Sequence, residues 1–427
     1  MQTGVHPDRA AIAAGQLEQL RSLVAELFPS NRFYALKLQS QGVTFDIASL
    51  ADFSARFPFT TKQELVEDQL RFPPFGTNLT YPLDRYTRFH QTSGTSGAPL
   101  RWLDTPESWE WMTEGWMEVF RAAGVGTGDR VMFAFSFGPF LGFWLAFESA
   151  ARLGGLCIPG GGLSSVARLR SMRDNAANVL CCTPTYALRL AEVASQEGIE
   201  TRSLALRTIV VAGEPGGSIP AARARLEALW PGARIFDHHG MTEVGPVSYE
   251  CPHRPGVLHV METACYAEVV DPASGKPALN GELILTTLGR TGSPLLRYRT
   301  GDLVRREISS EPCACGRHTM ALPGGILGRV DDMVIVRGVN VYPSAVEEIL
   351  RGLGDVAEYR VHVNRDAALA ELRIEIEPAE RCRDVPELVA AARRSFETAF
   401  ALRVPVEAVA PGSLPRFEMK SKRWLHT

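Results

Sequence analysis

The sequence predicts an α/β fold: a large N-terminal domain with parallel sheets flanked by helices plus an antiparallel β region, and a small C-terminal α+β domain. Three observations lead there. Between 131 and 240, short apolar runs alternate with amphipathic segments of helical length. Buried strands alternating with helices build a parallel sheet covered on both faces. After about 255, the runs alternate polar and apolar between turn signals, which is the antiparallel pattern. From Gly328 a unit of 100 residues begins, large enough for an independent domain. The domains are therefore set at 1–327 and 328–427.

Residues 8–28 carry Leu17, Leu20, Val24 and Leu27 at helical spacing. Thr105, Pro106 and Glu107 open a second helix over 105–123. The strand–helix series then runs 131–137, 141–153, 156–162, 164–176, 178–184, 185–197, 208–215 and 219–230, and closes with the strand at 234–240. Ligands of open α/β sheets bind beyond the carboxyl ends of the strands. Those ends fall at 160–162, 183–184, 213–215 and 238–240. The antiparallel segments are 258–271, 281–289 and 301–308. The last unit reads strand (333–338), helix (343–353), strands (358–364 and 371–378), helix (387–401) and a polar tail.

The 427 residues equal about three times a typical domain of ~150 residues, which also admits two large domains. Hydrophobic residues make up 45% and charged residues 22%, which excludes a disordered, collagen-like or disulfide-scaffold chain. The net charge of −3 provides no excess for nucleic acid or acidic membranes. Eight cysteines are too few for a disulfide framework, so reduced thiols are expected. The N-terminus lacks a signal-peptide pattern, and no apolar run reaches membrane-spanning length. A cytoplasmic protein is expected.

Five segments carry chemistry. In QTSGTSGAPL (91–100), the run Thr92, Ser93, Gly94, Thr95, Ser96 and Gly97 follows a strand. Glycines let backbone N–H groups wrap an oxyanion; a polar linker is the bland alternative. FDHHGMTEVGP (236–246) places Glu243 at a strand exit. One carboxylate plus substrate phosphates is a common way to hold Mg²⁺, although a lone loop acid is more often solvated. His238 and His239 are neighbours and face opposite ways on a strand, which argues for packing or stacking roles over a catalytic dyad. In RYRTGDL (297–303), Asp302 suits two vicinal hydroxyls or a plain β-turn. The other two are GRVDDMVIVRGVNVYPSAVEEIL (328–350) and the basic tail LPRFEMKSKRW (414–424), whose bland reading is a solvated terminus.

These five segments, in this order and spacing, resemble the adenylate-forming acyl-CoA synthetase superfamily. Segment 328–350, with VLCCTPTYALRLAEVA (179–194) and AGEP (212–215), is similar to its phenylacetate-CoA ligase branch. The resemblance covers about 90–423. It implies a two-step reaction: a carboxylate and ATP give acyl-AMP and pyrophosphate, then a thiol, usually that of coenzyme A, displaces AMP. It further implies that the 92–97 loop holds the leaving phosphates, that Glu243 ligates Mg²⁺ and that Thr242 binds the α-phosphate. Gly213, Glu214 and Pro215 line the adenine on one side, and Asp237, His238, His239 and Gly240 on the other. Asp302 accepts the ribose hydroxyls, Arg329 contacts ribose or phosphate, and Asp331 is the hinge of a mobile C-terminal domain. Lys420 bridges carboxylate and α-phosphate during adenylation. The chain departs from the family at Ala98 (usually Lys), His239 (usually Tyr) and Met419 (usually Gly); the last of these makes Lys422 the alternative lysine.

Cys313-Ala-Cys315-Gly316 has the tight turn that aims two thiolates at one ion. Cys251 plus His253 or His259 would complete a structural S₃N zinc site; relatives with a Leu-His pair favour His259. The resemblance places the acid pocket at FSFGPFLGFW (135–144), with Phe137 and Phe140 as walls for a flat aromatic carboxylic acid. The rival acceptor is an acyl carrier protein thiol, or the reaction stops at acyl-AMP. A non-catalytic nucleotide-binding homologue is the non-enzymatic alternative. A serine hydrolase is disfavoured for want of a GxSxG elbow. A homodimer is compatible with the chain.

Overall fold

The computed structural model describes residues 6–92, 99–307, 309, 311–332, 334–336, 339–364, 371–417 and 421–426. The fold is mixed α/β, with parallel strand pairs, antiparallel sheets and a C-terminal α+β region. Packing groups the chain into two compact units. One comprises Met1–Gly161 with Asp237–Gly325, the other Gly162–Phe236 with Ile326–Thr427.

The first unit opens with helix Arg9–Ser30, capped by Asp8, whose carboxylate accepts the Ala11 N–H. Its buried Leu20, Leu23, Val24 and Leu27 meet Tyr34, Phe53 and Phe57. The last three come from helices Arg32–Ser40 and Leu50–Arg56 and the residue after them. A further helix, Lys62–Arg71, starts at a capping box in which Thr61 and Glu64 bond reciprocally. The expected helix near 105 is Pro106–Ala122, capped by Thr105 with proline in its first turn. Strands Arg130–Phe133 and Leu156–Pro159 pair in parallel, with helix Leu141–Arg152 between them in sequence.

The antiparallel region begins earlier than the alternation suggests. His238 to Met241, at the end of strand Arg234–Met241, pair antiparallel with strand Gly245–Cys251. That strand pairs with Arg254–Val260, which in turn pairs with Ala321–Pro323. Gly245 permits the tight turn. Its φ is +97°, and a Cβ there would lie 2.9 Å from Met112 Sδ. Segment 258–271 is two strands rather than one, because Ala264 and Cys265 both donate to the Met261 carbonyl and turn the chain. Cys265–Val270, Asn280–Thr287 and Tyr298–Arg305 form a second antiparallel sheet.

In the second unit, Val179–Cys182 and Thr208–Val211 pair in parallel, and every residue of both is buried. This is what continuous apolar runs between helices imply. The flanking helices are Ser165–Asp174, Pro184–Gln196 and Pro220–Leu229. The C-terminal segment has helices Pro343–Gly352 and Val385–Phe400 around a four-stranded sheet. Val356–Asn364 and Glu371–Pro378 form its antiparallel centre. Val406–Ala408 and Trp424–His426 add parallel edges. Val346, Leu350, Val361, Ile374, Ile376 and Phe396 form its core.

The tail corrects the reading of a solvated terminus. Arg423 is only 6% exposed. Its Nε donates to Glu358 Oε1 at 2.6 Å, and Trp424 then enters the sheet beside Val361. A buried guanidinium requires such a partner.

Candidate functional site

The first unit brings together most of the residues singled out by their motifs. Strands Arg88–Gln91 and Arg101–Asp104 pair antiparallel. Thr92 closes the loop between them: its N–H donates to the Leu100 carbonyl, and its hydroxyl accepts the Leu100 N–H, both at 3.0 Å. Ser93, Gly94, Thr95, Ser96, Gly97 and Ala98 lie outside the described residues.

Strand Arg234–Met241 carries Asp237, His238, His239 and Gly240. Its alternation separates the two histidines. His238 is buried, with Nδ1 2.8 Å from the Ser248 carbonyl and its ring 4.3 Å from that of Trp116. Burial, and to a lesser degree His239, push its pKa down to about 3, so it is a neutral packing residue at ordinary pH. His239 instead reaches the next sheet, with Nε2 3.0 Å from Asp302 Oδ2. Gly240 leaves no room for a side chain; a Cβ would lie 2.8 Å from the Gly245 carbonyl oxygen.

Thr242 and Glu243 occupy the turn that follows. The buried Glu243 carboxylate meets Lys62 Nζ at 3.2 Å and the Tyr298 hydroxyl at 3.4 Å, both through Oε1. Lys62 was not anticipated from the sequence; it is the first residue of the helix that the Thr61/Glu64 capping box starts. Tyr298 lies in the RYRTGDL segment, one residue after its first arginine.

The expected aryl wall is an aromatic cluster. The strand ends at Phe133, earlier than expected, and Phe137 sits beyond it in the left-handed region at φ +47°. That backbone turns the Phe137 ring toward Trp144 and Phe147, with centroids 5.2 and 5.5 Å away. Phe135 stacks on Phe143 at 4.1 Å, and Phe140 lies 6.0 Å from Phe143. The Pro139 carbonyl accepts the Gln91 N–H, linking the cluster to the strand that ends at Thr92.

Cys251, His259, Cys313 and Cys315 converge, their ligand atoms all within 4.8 Å of one another. Cys251 Sγ is 3.6 Å from Cys313 Sγ, and Cys315 Sγ is 3.4 Å from His259 Nε2. His259 Nδ1 is 3.1 Å from the Thr319 hydroxyl. A turn in which Gly316 donates to the Cys313 carbonyl, with Gly316 at φ +82°, aims the Cys-x-Cys pair.

The second unit holds the others. Gly213 has φ +95°, and Glu214 uses both carboxylate oxygens. Oε1 accepts the Thr185 N–H at 2.9 Å, and Oε2 accepts the Ser421 N–H and hydroxyl at 2.9 and 3.2 Å. Pro215 follows directly. Arg329 Nε lies 2.9 Å from Asp331 Oδ1, so the expected nucleotide contact and the expected hinge form one exposed ion pair. Lys420 and Met419 lie outside the described residues, whereas Lys422 is exposed.

The mixed α/β scaffold, with Glu243 in a turn and Asp302 held by His239, has the fold of an adenylate-forming enzyme. The comparisons agree. The family model for AMP-binding enzyme matches residues 89–288, and that for the AMP-binding enzyme C-terminal domain matches 338–427. The phenylacetate-coenzyme A ligase of Thermus thermophilus is 35% identical over 87% of this chain and 82% of its own length. That of Escherichia coli K12 is 31% identical over 96% of this chain and 94% of its own. A crystal structure of 2-hydroxyisobutyryl-CoA ligase with 2-HIB-AMP, in the postadenylation state, superposes with a TM-score of 0.94 at 28% identity, covering 100% of this chain and 93% of that one. The same ligase with CoA, in the thioesterification state, gives 0.74 at 30% identity over 99% and 91% of the two chains. The chain belongs to the phenylacetate-CoA ligase-like family of adenylate-forming acyl-CoA ligases. It is an AMP-forming acid–thiol ligase that activates an acid with ATP and transfers the acyl group to coenzyme A. Among the described residues, no helix is long and apolar enough to cross a membrane.

Proposed function

We propose that the acid is an aromatic monocarboxylate of the phenylacetate type. The observation that carries this reading is the cluster of Phe135, Phe137, Phe140, Phe143 and Trp144 beyond the first parallel strand. Flat rings at 4–6 Å separations favour an aryl group over a small aliphatic one. No cationic side chain lies within 135–144 to pair with a second carboxylate.

A carboxylate and a triphosphate repel, so their charges must be offset before they meet. A carboxylate oxygen attacks the α-phosphorus, and the bond to the bridging oxygen breaks to release pyrophosphate. In this reading the 92–97 loop holds the leaving phosphates and Thr242 donates to the α-phosphate. Lys420 neutralises the charge that develops between acid and phosphate. Asp302, oriented by His239, takes the ribose hydroxyls, and Arg329 contacts ribose or phosphate. The 213–215 and 237–240 segments flank the adenine. The Glu243 carboxylate is a hard oxygen donor, and Mg²⁺ held there would offset phosphate charge. The coenzyme A sulfur then attacks the acyl carbonyl carbon and AMP leaves.

A mobile domain over 328–427, pivoting at Asp331, would let one site serve both steps. This boundary is one of motion, whereas the two compact units are units of packing. The TM-scores of 0.94 and 0.74 against two states of one relative support the idea of such movement in the family.

The donor set Cys251, His259, Cys313 and Cys315 fits structural zinc. A tetrahedron with bonds of about 2.3 Å to sulfur has S–S edges of about 3.8 Å, close to the 3.6 Å between the Cys251 and Cys313 sulfurs. Four protein donors leave no open position for catalysis.

The test is a panel of carboxylic acids scored by acid-dependent pyrophosphate release, with and without coenzyme A. Phenylacetate-like acids should give the highest kcat/KM, with thioester formed in the presence of coenzyme A. Faster turnover of 2-hydroxyisobutyrate or another short aliphatic acid than of every aryl acid would overturn the substrate assignment. An acyl carrier protein outcompeting coenzyme A would overturn the acceptor.

A further inference from the structure

The turn that carries Thr242 and Glu243 is closed by the pairing of Met241 with Gly245. In so tight a turn the backbone carbonyls cannot join the strand ladder, and a buried carbonyl without a donor is costly. The donor comes from a distant loop. Arg290, fully buried, directs Nη1 at the Thr242 carbonyl (2.7 Å) and at the Glu243 carbonyl (2.8 Å). Its Nε and Nη2 meet Asp104 Oδ1 and Oδ2, both at 2.7 Å. Asp104 is fully buried as well.

The setting is specific to this geometry. Gly289 lets the loop approach closely, since a Cβ there would lie 2.3 Å from Trp111 Cδ1. The guanidinium lies 5.2 Å from the centroid of the Trp102 ring. Burial pushes the Asp104 carboxyl up, but Arg290 and His90 outweigh it and hold the group below its ordinary range. Asp104 is therefore charged and can anchor one side of the fork. A lysine could not span a carboxylate and two carbonyls, because it lacks the planar array of donors. A buried ion pair is also a weak route to stability alone, and an apolar pair of similar volume often serves as well.

We propose that Arg290, anchored by Asp104, is a positioning residue for adenylation. It fixes the backbone of Thr242 and Glu243, and so sets where their side chains meet the α-phosphate and the magnesium ion. The inference rests on the roles assigned above to those two residues. Groups that orient a metal ligand from behind typically matter by about 10–100-fold in affinity or activity.

The experiment compares Arg290→Lys with the wild type in three measurements on the full chain. ATP-dependent Mn²⁺ binding, read by electron paramagnetic resonance, should weaken by roughly 10-fold or more. Pyrophosphate release should fall by a similar factor. Thioester formation from synthetic acyl-AMP and coenzyme A, which needs neither metal nor pyrophosphate, should stay within about twofold of wild type. A role limited to stability would lower both half-reactions together and leave Mn²⁺ affinity per folded chain unchanged, and that result overturns the proposal. If Arg290→Lys does not fold, the apolar pair Asp104→Leu/Arg290→Met carries the same three measurements. Glu243→Gln separates the underlying reading: unchanged Mn²⁺ binding there removes Glu243 as the metal ligand. Weakened binding in Glu243→Gln, with wild-type values in the Arg290 variant, removes Arg290 alone.

Discussion

His239 Nε2 lies 3.0 Å from Asp302 Oδ2, joining an adenine-segment residue to the acid proposed for the ribose across two sheets. The contact exists because strand Arg234–Met241 sends His238 to the Ser248 carbonyl and His239 the other way. The imidazole thus holds a carboxylate oxygen of Asp302. His239→Phe keeps a ring but removes that hold. Its KM for ATP should rise by roughly tenfold, equivalent to about 1.4 kcal/mol, with kcat changed less. Steady-state kinetics with varied ATP decide it, and an unchanged KM would mean that the contact does not orient Asp302.

His238 should confer acid sensitivity. Its pKa is about 3 in the fold, against 6.5 in the unfolded chain. Above about 6.5 the group is neutral in both states and contributes nothing to pH dependence. As pH falls from 6.5 toward 3, only the unfolded chain gains the proton, so stability is lost at up to about 1.4 kcal/mol per pH unit. His238→Asn places an amide donor near the Nδ1 position that faces the Ser248 carbonyl and does not titrate. Urea melts from pH 7 to 4 should be flatter for the variant than for the wild type. Parallel pH curves would rule this group out as a source of acid lability.

Much of the fold is legible in the sequence because its strands are apolar runs of fixed length between capped helices. Thr105 and Pro106 mark the start of one helix by residue type alone. The helices at 32–40, 50–56 and 62–71 escape notice because they are short and polar outside. The first two are held by packing Tyr34, Phe53 and Phe57 against Leu20 and Leu27, which periodicity over a few turns does not reveal. At the site, motifs identify Glu243 and Asp302, but their partners Lys62 and His239 are set by contacts 181 and 63 residues away in sequence. The tail misleads for the same reason: Arg423 reads as a solvated charge until Glu358 is placed beside it.

Zinc should be present at about one ion per chain and should act through stability. Cys313→Ser removes one of four donors. It should abolish zinc retention and lower Tm on the order of 5–10 °C for a chain of this size. Activity per folded molecule should be unchanged. Cys382→Ser, outside the cluster, should keep the metal. Elemental analysis of the purified wild type is the deciding measurement, and a metal-free chain with an unaltered Tm for Cys313→Ser contradicts the assignment.

The two candidate lysines flank Ser421, whose N–H and hydroxyl are both held by Glu214. A group needed only for adenylation must be presented in one step and withdrawn in the next, which suits a tail on a pivoting domain. Lys420→Ala should therefore cut pyrophosphate release by about 10²–10³, the usual loss for a single donor to developing charge. The same variant, given synthetic acyl-AMP and coenzyme A, should form thioester at close to the wild-type rate. Lys422, exposed to solvent, should tolerate alanine in both half-reactions. Asp331 forms an exposed ion pair with Arg329, and Asp331→Asn tests that pair without restricting the backbone. Asp331→Pro fixes φ at the proposed pivot, so it should slow the thiol step more than adenylation, whereas Asp331→Asn should not. Equal losses in both half-reactions for Asp331→Pro would argue against a pivot at this residue. Loss of adenylation in Lys422→Ala but not Lys420→Ala would move the catalytic role two residues along the tail.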